Sequence, residues 1–502
     1  MAVATASAWD TFRSREAELV DLGQAAGLLG WDQQTIMPRR GAAIRANQLT
    51  TLQSIYHERL ADPAFGEAIA ALEEDGAELD EVGRASLRIA RRLYDRAIKV
   101  PADLVRELAR AEAEGFEIWQ VARPARDFAM FQPVLEHILR LKQQEADAIG
   151  HDGERYDALH DQFEPGMRVA RLEPLLRAFR DELVPFAEAV LERPRPDDSV
   201  LRREFPDAAQ WDFTVRLLGD VGFDFEAGRQ DRSAHPFSGG AGPTDVRVTT
   251  RLLPDPRSGI MATLHEAGHG MYEQGLAIDR LERTFAGETY SLSLHESQSR
   301  MWENMVGRSR PFWEHYFPLL RDQFPQALAD VDVEQWWRLI NLVERSLIRV
   351  EADEVTYNLH VLLRFELELA LLRGDLAVAD LPAAWNDAMI RYVGIAPPHD
   401  GDGVLQDVHW SGGAFGYFPT YTLGTLLSAQ LYEAAVRDLG DQSDAFRRAD
   451  FAPLLGWLRE NVHRRASLLE AEDVVREVTG QGIDHTAHMR YLRTKFGEIY
   501  GV

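Results

Sequence analysis

Apolar residues recur at intervals of three and four along most of this 502-residue sequence, and no other feature restricts its fold as strongly. A period near 3.6 lines one face of an α-helix, whereas a half-buried strand needs strict alternation. The helical pattern runs from Thr11 to Leu29, through Ala85, Ile89 and Leu93, from Pro101 to Val121 and from Phe131 to Ile149. The longest run, Val333 to Arg373, carries Trp336, Trp337, Ile340, Val343, Leu347, Val350, Val355, Leu362 and Leu369 before Gly374 stops it. Read as one helix, it would span about 60 Å and make the molecule elongated.

Strand signals are scarce. Asp245 to Arg251 alternates and is β-branched, and it lies between the Gly/Pro-rich stretch Pro236 to Pro243 and the turn Pro254-Asp255-Pro256. It reads as one short strand. The expected fold class is therefore mostly α: a large helical body with a small β-sheet beside the site described below. No Gly/Ser linker or internal repeat interrupts residues 1–502, which read as a single catalytic domain.

Composition excludes several classes of function. Acidic residues outnumber basic ones, 81 against 55, for a formal net charge of −26. Such a polyanion repels nucleic-acid phosphates and anionic lipid, so no nucleic-acid or membrane partner is expected. The densest basic group, Arg84, Arg88, Arg91, Arg92, Arg96 and Lys99, has helical spacing and reads as the polar face of an amphipathic helix. Cysteine is absent, which removes disulfides, thiolate nucleophiles and Cys-ligated zinc. Met1 to Arg13 carries no leader-like pattern and no run of about 18 apolar residues occurs, so the expected location is the cytoplasm.

The chemistry gathers in Leu264-His265-Glu266-Ala267-Gly268-His269. Two histidines four apart share one helical face and can converge on one ion. Ser258 or Gly259 can cap that helix; Ile260, Met261, Leu264 and Met271 form its apolar side, and Gly275 ends it. Glu266 can take a proton from the attacking water and return it to the leaving amine. A zinc-type ion needs a third protein ligand. Glu296, 27 residues after His269, and its neighbour His295 both qualify, and adjacent residues about 100° apart on a helix cannot be separated by spacing. His57, His151 and His360 read as surface or core residues.

These segments, taken with others, resemble the carboxypeptidase Taq family of metallopeptidases. The resemblance is carried by His235-Pro236-Phe237, Asp245-Val246-Arg247-Val248-Thr249, His265 to His269, His295-Glu296-Ser297-Gln298, Ile348 to Asp353 and Gly403 to Trp410, in the family's order. Trp31 to Pro38, Tyr156-Asp157-Ala158 and Glu164-Pro165-Gly166-Met167 extend it over essentially the whole chain.

The resemblance implies a deep substrate groove, a homodimer, and removal of single residues from the C-termini of peptides. It favours Glu296 as third ligand. In that setting Arg349 is the candidate for the substrate's terminal carboxylate, which a guanidinium binds bidentately, with Asp353 orienting it. His235, His409 and Tyr417 are candidates for contact with the oxyanion or the substrate backbone, and Ser411-Gly412-Gly413 for a moving loop. Two imidazoles and a carboxylate suit Zn2+, with Co2+ or Mn2+ as alternatives. The rival readings are a helical oligopeptidase cutting internal bonds and a non-catalytic metal- or peptide-binding protein.

Overall fold

The computed structural model describes residues 7–74, 79–465 and 467–502. Residues 1–6, on which part of the reading of the N-terminus rests, lie outside this range. Helices dominate as the periodicity requires. The first is α1 (Ala8–Gln34), opened by a capping box in which Ser7 and Asp10 satisfy each other's backbone amides. It packs against α2 (Ala42–Leu60), and α3 (Glu81–Lys99), α4 (Ala102–Ala125) and α5 (Phe128–Ile149) follow. Among the described residues no helix is long and apolar enough to cross a membrane.

Among the described residues two apolar clusters form. Phe12, Leu19, Phe65, Ile69, Ile89 and Phe285 make a small one at the N-terminal end. A much larger one extends from Val82 to Ile499 and contains the fully buried Trp302, Trp313, Trp336 and Trp385. The basic stripe of α3 is only partly solvated. Arg88 and Arg92 pair with Glu470, Arg91 with Glu73, and Arg96 with Glu145, so the stripe ties α3 to its neighbours.

The sheet has three strands, β1 (Gly228–Arg232), β2 (Ser238–Gly240) and β3 (Val246–Thr250), in the order β1-β3-β2. The expected strand is the central one, parallel to β1 and antiparallel to β2. Val246 and Val248 face the core, while Arg247 and its cross-strand partner Arg229 both stack on Trp31 of α1. A bend at Pro254-Asp255 then leads into α6 (Pro256–Gln274). Its cap is Asp255, with Pro256 in the first turn, rather than Ser258 or Gly259. It ends before Gly275, as expected.

The 60 Å helix does not form. The run breaks into α8 (Val333–Ile340) and α9 (Tyr357–Arg373), after the short α7 (Leu292–Arg300), and a single 3₁₀ turn at Arg349–Glu351 lies between them. The reason is that tertiary partners satisfy the backbone that a helix would have paired internally. Val343 N donates to the Tyr500 hydroxyl and Arg349 N to Gln406 Oε1. The Asp353 carboxylate accepts from the amides of Glu344, Val355 and Thr356, the local competition that disfavours Asp in helix interiors. Val350, assigned by spacing to the buried face, is 66% exposed. Two further helices, α10 (Pro419–Leu439) and α11 (Thr486–Tyr500), complete the frame of the site.

Candidate metal centre and substrate pocket

Three helices bring the site together. Helix α7 lies between α6 and α10, and glycines set the separation on both sides. A Cβ on Gly268 would stand 2.5 Å from the Gln298 carbonyl oxygen, and one on Gly424 would stand 2.5 Å from Glu296 Cβ. The glycine inside His265-Glu266-Ala267-Gly268-His269 is thus the point where the backbone of α7 crosses α6.

The crossing directs Glu296 at both imidazoles. Its Oε2 is 3.6 Å from His265 Nε2 and 3.4 Å from His269 Nε2, and the three donor atoms lie within 4.8 Å of one another. Two imidazole nitrogens and one carboxylate oxygen, clustered and largely buried, fit a divalent ion of the zinc type that leaves a coordination position for substrate. Burial works against the charge on Glu296, but Arg300 and His265 outweigh it and hold its carboxyl well below the usual range. Burial, with His295 alongside, pushes His269 down to about 3, so that imidazole is neutral.

Glu266 is buried beside the first histidine, and its Oε2 has no hydrogen-bond partner among the described residues. Burial raises its carboxyl to about 7 against the pull of His265, which suits proton exchange near neutrality. Behind His265, Glu303 accepts from Nδ1 at 3.0 Å. Glu303 lies in a π-helical turn, Met301–Val306, that continues directly from α7 and is held by Arg300 and Arg308.

A second cluster adjoins the first. Arg300 bonds Glu296 Oε1 at 2.7 Å and lies 4.1 Å over the ring of Tyr357, whose hydroxyl accepts from Arg349 Nη1 at 3.0 Å. Arg349 is buried, and its partner is Asp407, not Asp353: Nε and Nη2 both reach Asp407 Oδ1, at 3.1 and 2.9 Å. Asp353 is occupied by backbone amides, because Arg349 stands in a turn and not one helical turn away from it. The fully buried Arg364 takes the other oxygen of Asp407.

The remaining candidates fall unevenly. Tyr417 packs against His409 and Tyr421, and burial and then the charge of Glu296 push its phenol up. His409 Nε2 lies 3.3 Å from the Tyr421 hydroxyl and its ring rests on Phe418. His235 is exposed on the loop between β1 and β2, and among the described residues its ring makes no hydrogen bond, ion pair or ring contact. That loop is held through Phe237, whose N–H donates to Thr249 Oγ1 at 2.9 Å. Ser411-Gly412-Gly413 does not form an open strap: Ser411 is buried and its carbonyl abuts Gly115 of α4. Sequence reasoning passed over Asp407, Arg364, Tyr357, Tyr421 and Glu303. Asp407 stood in a segment singled out and Tyr421 in the Gly/aromatic stretch that follows it, but neither was given a role, and Arg364, Tyr357 and Glu303 carry no signal that points to the site.

Comparison with known proteins decides the family. Residues 11–496 match the family described as Carboxypeptidase Taq (M32) metallopeptidase. The chain belongs to this family. Thermostable carboxypeptidase 1 of Thermus thermophilus is 44% identical over 98% of both chains, and Carboxypeptidase 1 of Bacillus subtilis is 34% identical over 95% of both. The crystal structure of the M32 carboxypeptidase from Deinococcus radiodurans R1 superimposes with a TM-score of 0.95 at 41% identity, covering 99% of this chain and all of that one. The protein is accordingly an M32 metallocarboxypeptidase, a hydrolase, and its mostly helical body with a small three-stranded sheet is the fold of its structural relatives.

Proposed function

We propose that this M32 metallocarboxypeptidase removes single residues from the free C-termini of peptides, with His265, His269 and Glu296 as metal ligands, Glu266 as general base and Arg349 as the reader of the terminal carboxylate. The observation that carries this reading is the short chain of contacts from Glu296 through Arg300 and Tyr357 to Arg349. It sets a buried guanidinium close to the ligand cluster, as cleavage of the last peptide bond demands.

A divalent ion held by these three residues would supply Lewis acidity toward the scissile carbonyl and the attacking water. Glu266 accepts the proton of that water and delivers it to the nitrogen of the departing amino acid. Arg349 holds the α-carboxylate with charge-assisted hydrogen bonds, which fixes the register of the chain against the site. Tyr417 and His409 orient the substrate, with His235 as a further contact from the loop between β1 and β2. The donor set favours zinc, with cobalt or manganese as functional substitutes. We further assign a homodimer, a cytoplasmic location and a single catalytic domain over residues 1–502.

The test is mass spectrometry of a mixed peptide set incubated with Zn2+-loaded protein, alongside His265→Ala, His269→Ala and Glu296→Ala. Stepwise C-terminal trimming that stops after chelation, and in each variant together with loss of bound Zn2+, is the expected result. Internal cleavage products, or trimming by a Glu296→Ala protein that keeps stoichiometric metal, would sink this assignment.

A further inference from the structure

His295 stands next to Glu296 in α7, and its side chain is engaged on both sides. Its Nδ1 lies 2.5 Å from His269 Nδ1, and its Nε2 lies 2.8 Å from Glu273 Oε1. Glu273 is one turn beyond His269 on α6 and also accepts from Thr289 Oγ1 at 3.0 Å. His265, His269 and Glu273 are spaced by four, so all three share the face of α6 that α7 crosses. Helix α7 inserts the His295 ring between His269 and Glu273, while Glu296, about 100° further round, faces the two Nε2 atoms. The ring of Tyr272 packs edge-on against His295 at 5.1 Å and limits its rotation.

Hydrogen-bond chemistry fixes the protons along this row. A carboxylate only accepts, so the Glu273 contact requires the proton of a neutral His295 on Nε2. His295 Nδ1 is then an acceptor, and the contact with His269 requires the proton of His269 on Nδ1. The lone pair of His269 is thereby left on Nε2, the nitrogen that faces Glu296. We propose that His295 is a positioning residue for His269, and that Glu273, acting through His295, selects the tautomer in which His269 ligates through Nε2. This rests on the metal reading of His269 given above. It also gives adjacent residues separate tasks: Glu296 provides a ligand atom, and His295 has no lone pair left to provide one. The two ligand histidines are oriented differently, His265 directly by the Glu303 carboxylate and His269 through an intervening imidazole. Partners of this kind orient a ligand and raise its basicity, and their loss typically weakens metal binding about 10–100-fold.

The experiment measures Zn2+ affinity by competition with a chromogenic chelator and the visible absorption spectrum of Co2+-loaded protein, for the full chain and for His295→Phe, His295→Asn, Glu273→Leu and His269→Ala. Thermal melting of the metal-free proteins monitors folding. Phenylalanine keeps the ring's bulk without an acceptor, whereas the Asn carbonyl oxygen can stand where Nδ1 stands. His295→Phe should weaken Zn2+ binding by about 10–100-fold and alter the Co2+ spectrum. His295→Asn should recover most of that loss, and Glu273→Leu should weaken binding without changing the metal-free melting temperature to match. Wild-type affinity in His295→Phe, or equal losses in the Phe and Asn variants, would overturn the proposal and leave the ring as packing only. Should His295→Phe fail to fold, the contrast between His295→Asn and Glu273→Leu decides alone: equal affinities overturn the proposal. Stoichiometric metal in His269→Ala would instead refute the ligand assignment beneath it.

Discussion

Arg349 and Arg364 bind opposite oxygens of one carboxylate, that of Asp407, at 2.9 Å (Arg349 Nη2 to Oδ1) and 2.6 Å (Arg364 Nε to Oδ2). Two guanidinium groups against one carboxylate leave this buried cluster one positive charge in excess. A substrate's terminal carboxylate would compensate it.

The first prediction tests that compensation. A charged hydrogen bond is worth about 1.5–3 kcal/mol, so amidating the peptide's C-terminus should lower kcat/KM by tenfold or more. Arg349→Ala should impose a similar loss on the free acid and much less on the amide, as measured in an enzyme–substrate double-mutant cycle. Additive losses would transfer the role to another arginine. Asp407→Ala should do worse, destabilising the fold by about 3–5 kcal/mol in urea titrations because it strands two buried cations.

Glu266→Gln separates binding from chemistry. The amide cannot accept a proton, so kcat should fall by about 10²–10⁴ while bound Zn2+ stays stoichiometric. Turnover and metal content on the same preparation check this, and near-normal turnover would remove Glu266 from the base role.

The crossing of α6, α7 and α10 predicts a steric effect. Gly268→Ala and Gly424→Ala each drive a methyl group to 2.5 Å from atoms of α7. Each should cost about 1–3 kcal/mol by overpacking and weaken Zn2+ binding by shifting Glu296. Gly23→Ala, in α1 with nothing within 4 Å, should instead stabilise by up to about 1 kcal/mol. Thermal melts and chelator competition across the three variants provide the comparison.

Glu368 predicts a pH dependence of stability. Burial raises its carboxyl to about 7, although Trp410, Gly416 and Tyr156 all hydrogen-bond it. A folded pKa above the unfolded one means that the native state holds the extra proton between roughly pH 4.5 and 7. The contribution is therefore complete below about pH 4.5 and is lost as pH rises through 7, for a total on the order of 3 kcal/mol. Glu368→Gln has no such proton, so its destabilisation relative to wild type should shrink from pH 5 to pH 8 in urea titrations. A difference that stays constant with pH would show that Glu368 is ionised throughout.

Much of this was legible in residue order because it depends on near neighbours. Helices α1, α3, α4 and α5 follow from apolar spacing, and so does the body of α6, although its start lies at Asp255-Pro256 and not at Ser258 or Gly259. His265 and His269 share a face because they are four apart, whatever the rest of the chain does. The break between α8 and α9 was hidden because its cause is remote: Tyr500 and Gln406 satisfy amides that local pattern assigns to a helix.

The sequence by itself determined the helical class, the central strand and the pair of imidazoles, since each is a matter of short-range geometry repeated along one segment. Tertiary structure alone decided that Asp407, 58 residues away, and not Asp353 holds Arg349. It also decided which of two adjacent residues, His295 or Glu296, faces the imidazole Nε2 atoms. The physical reason is the same in both cases. A side chain's partner is fixed by where helices cross, and the crossing of α6, α7 and α10 depends on how closely their backbones approach at Gly268 and Gly424.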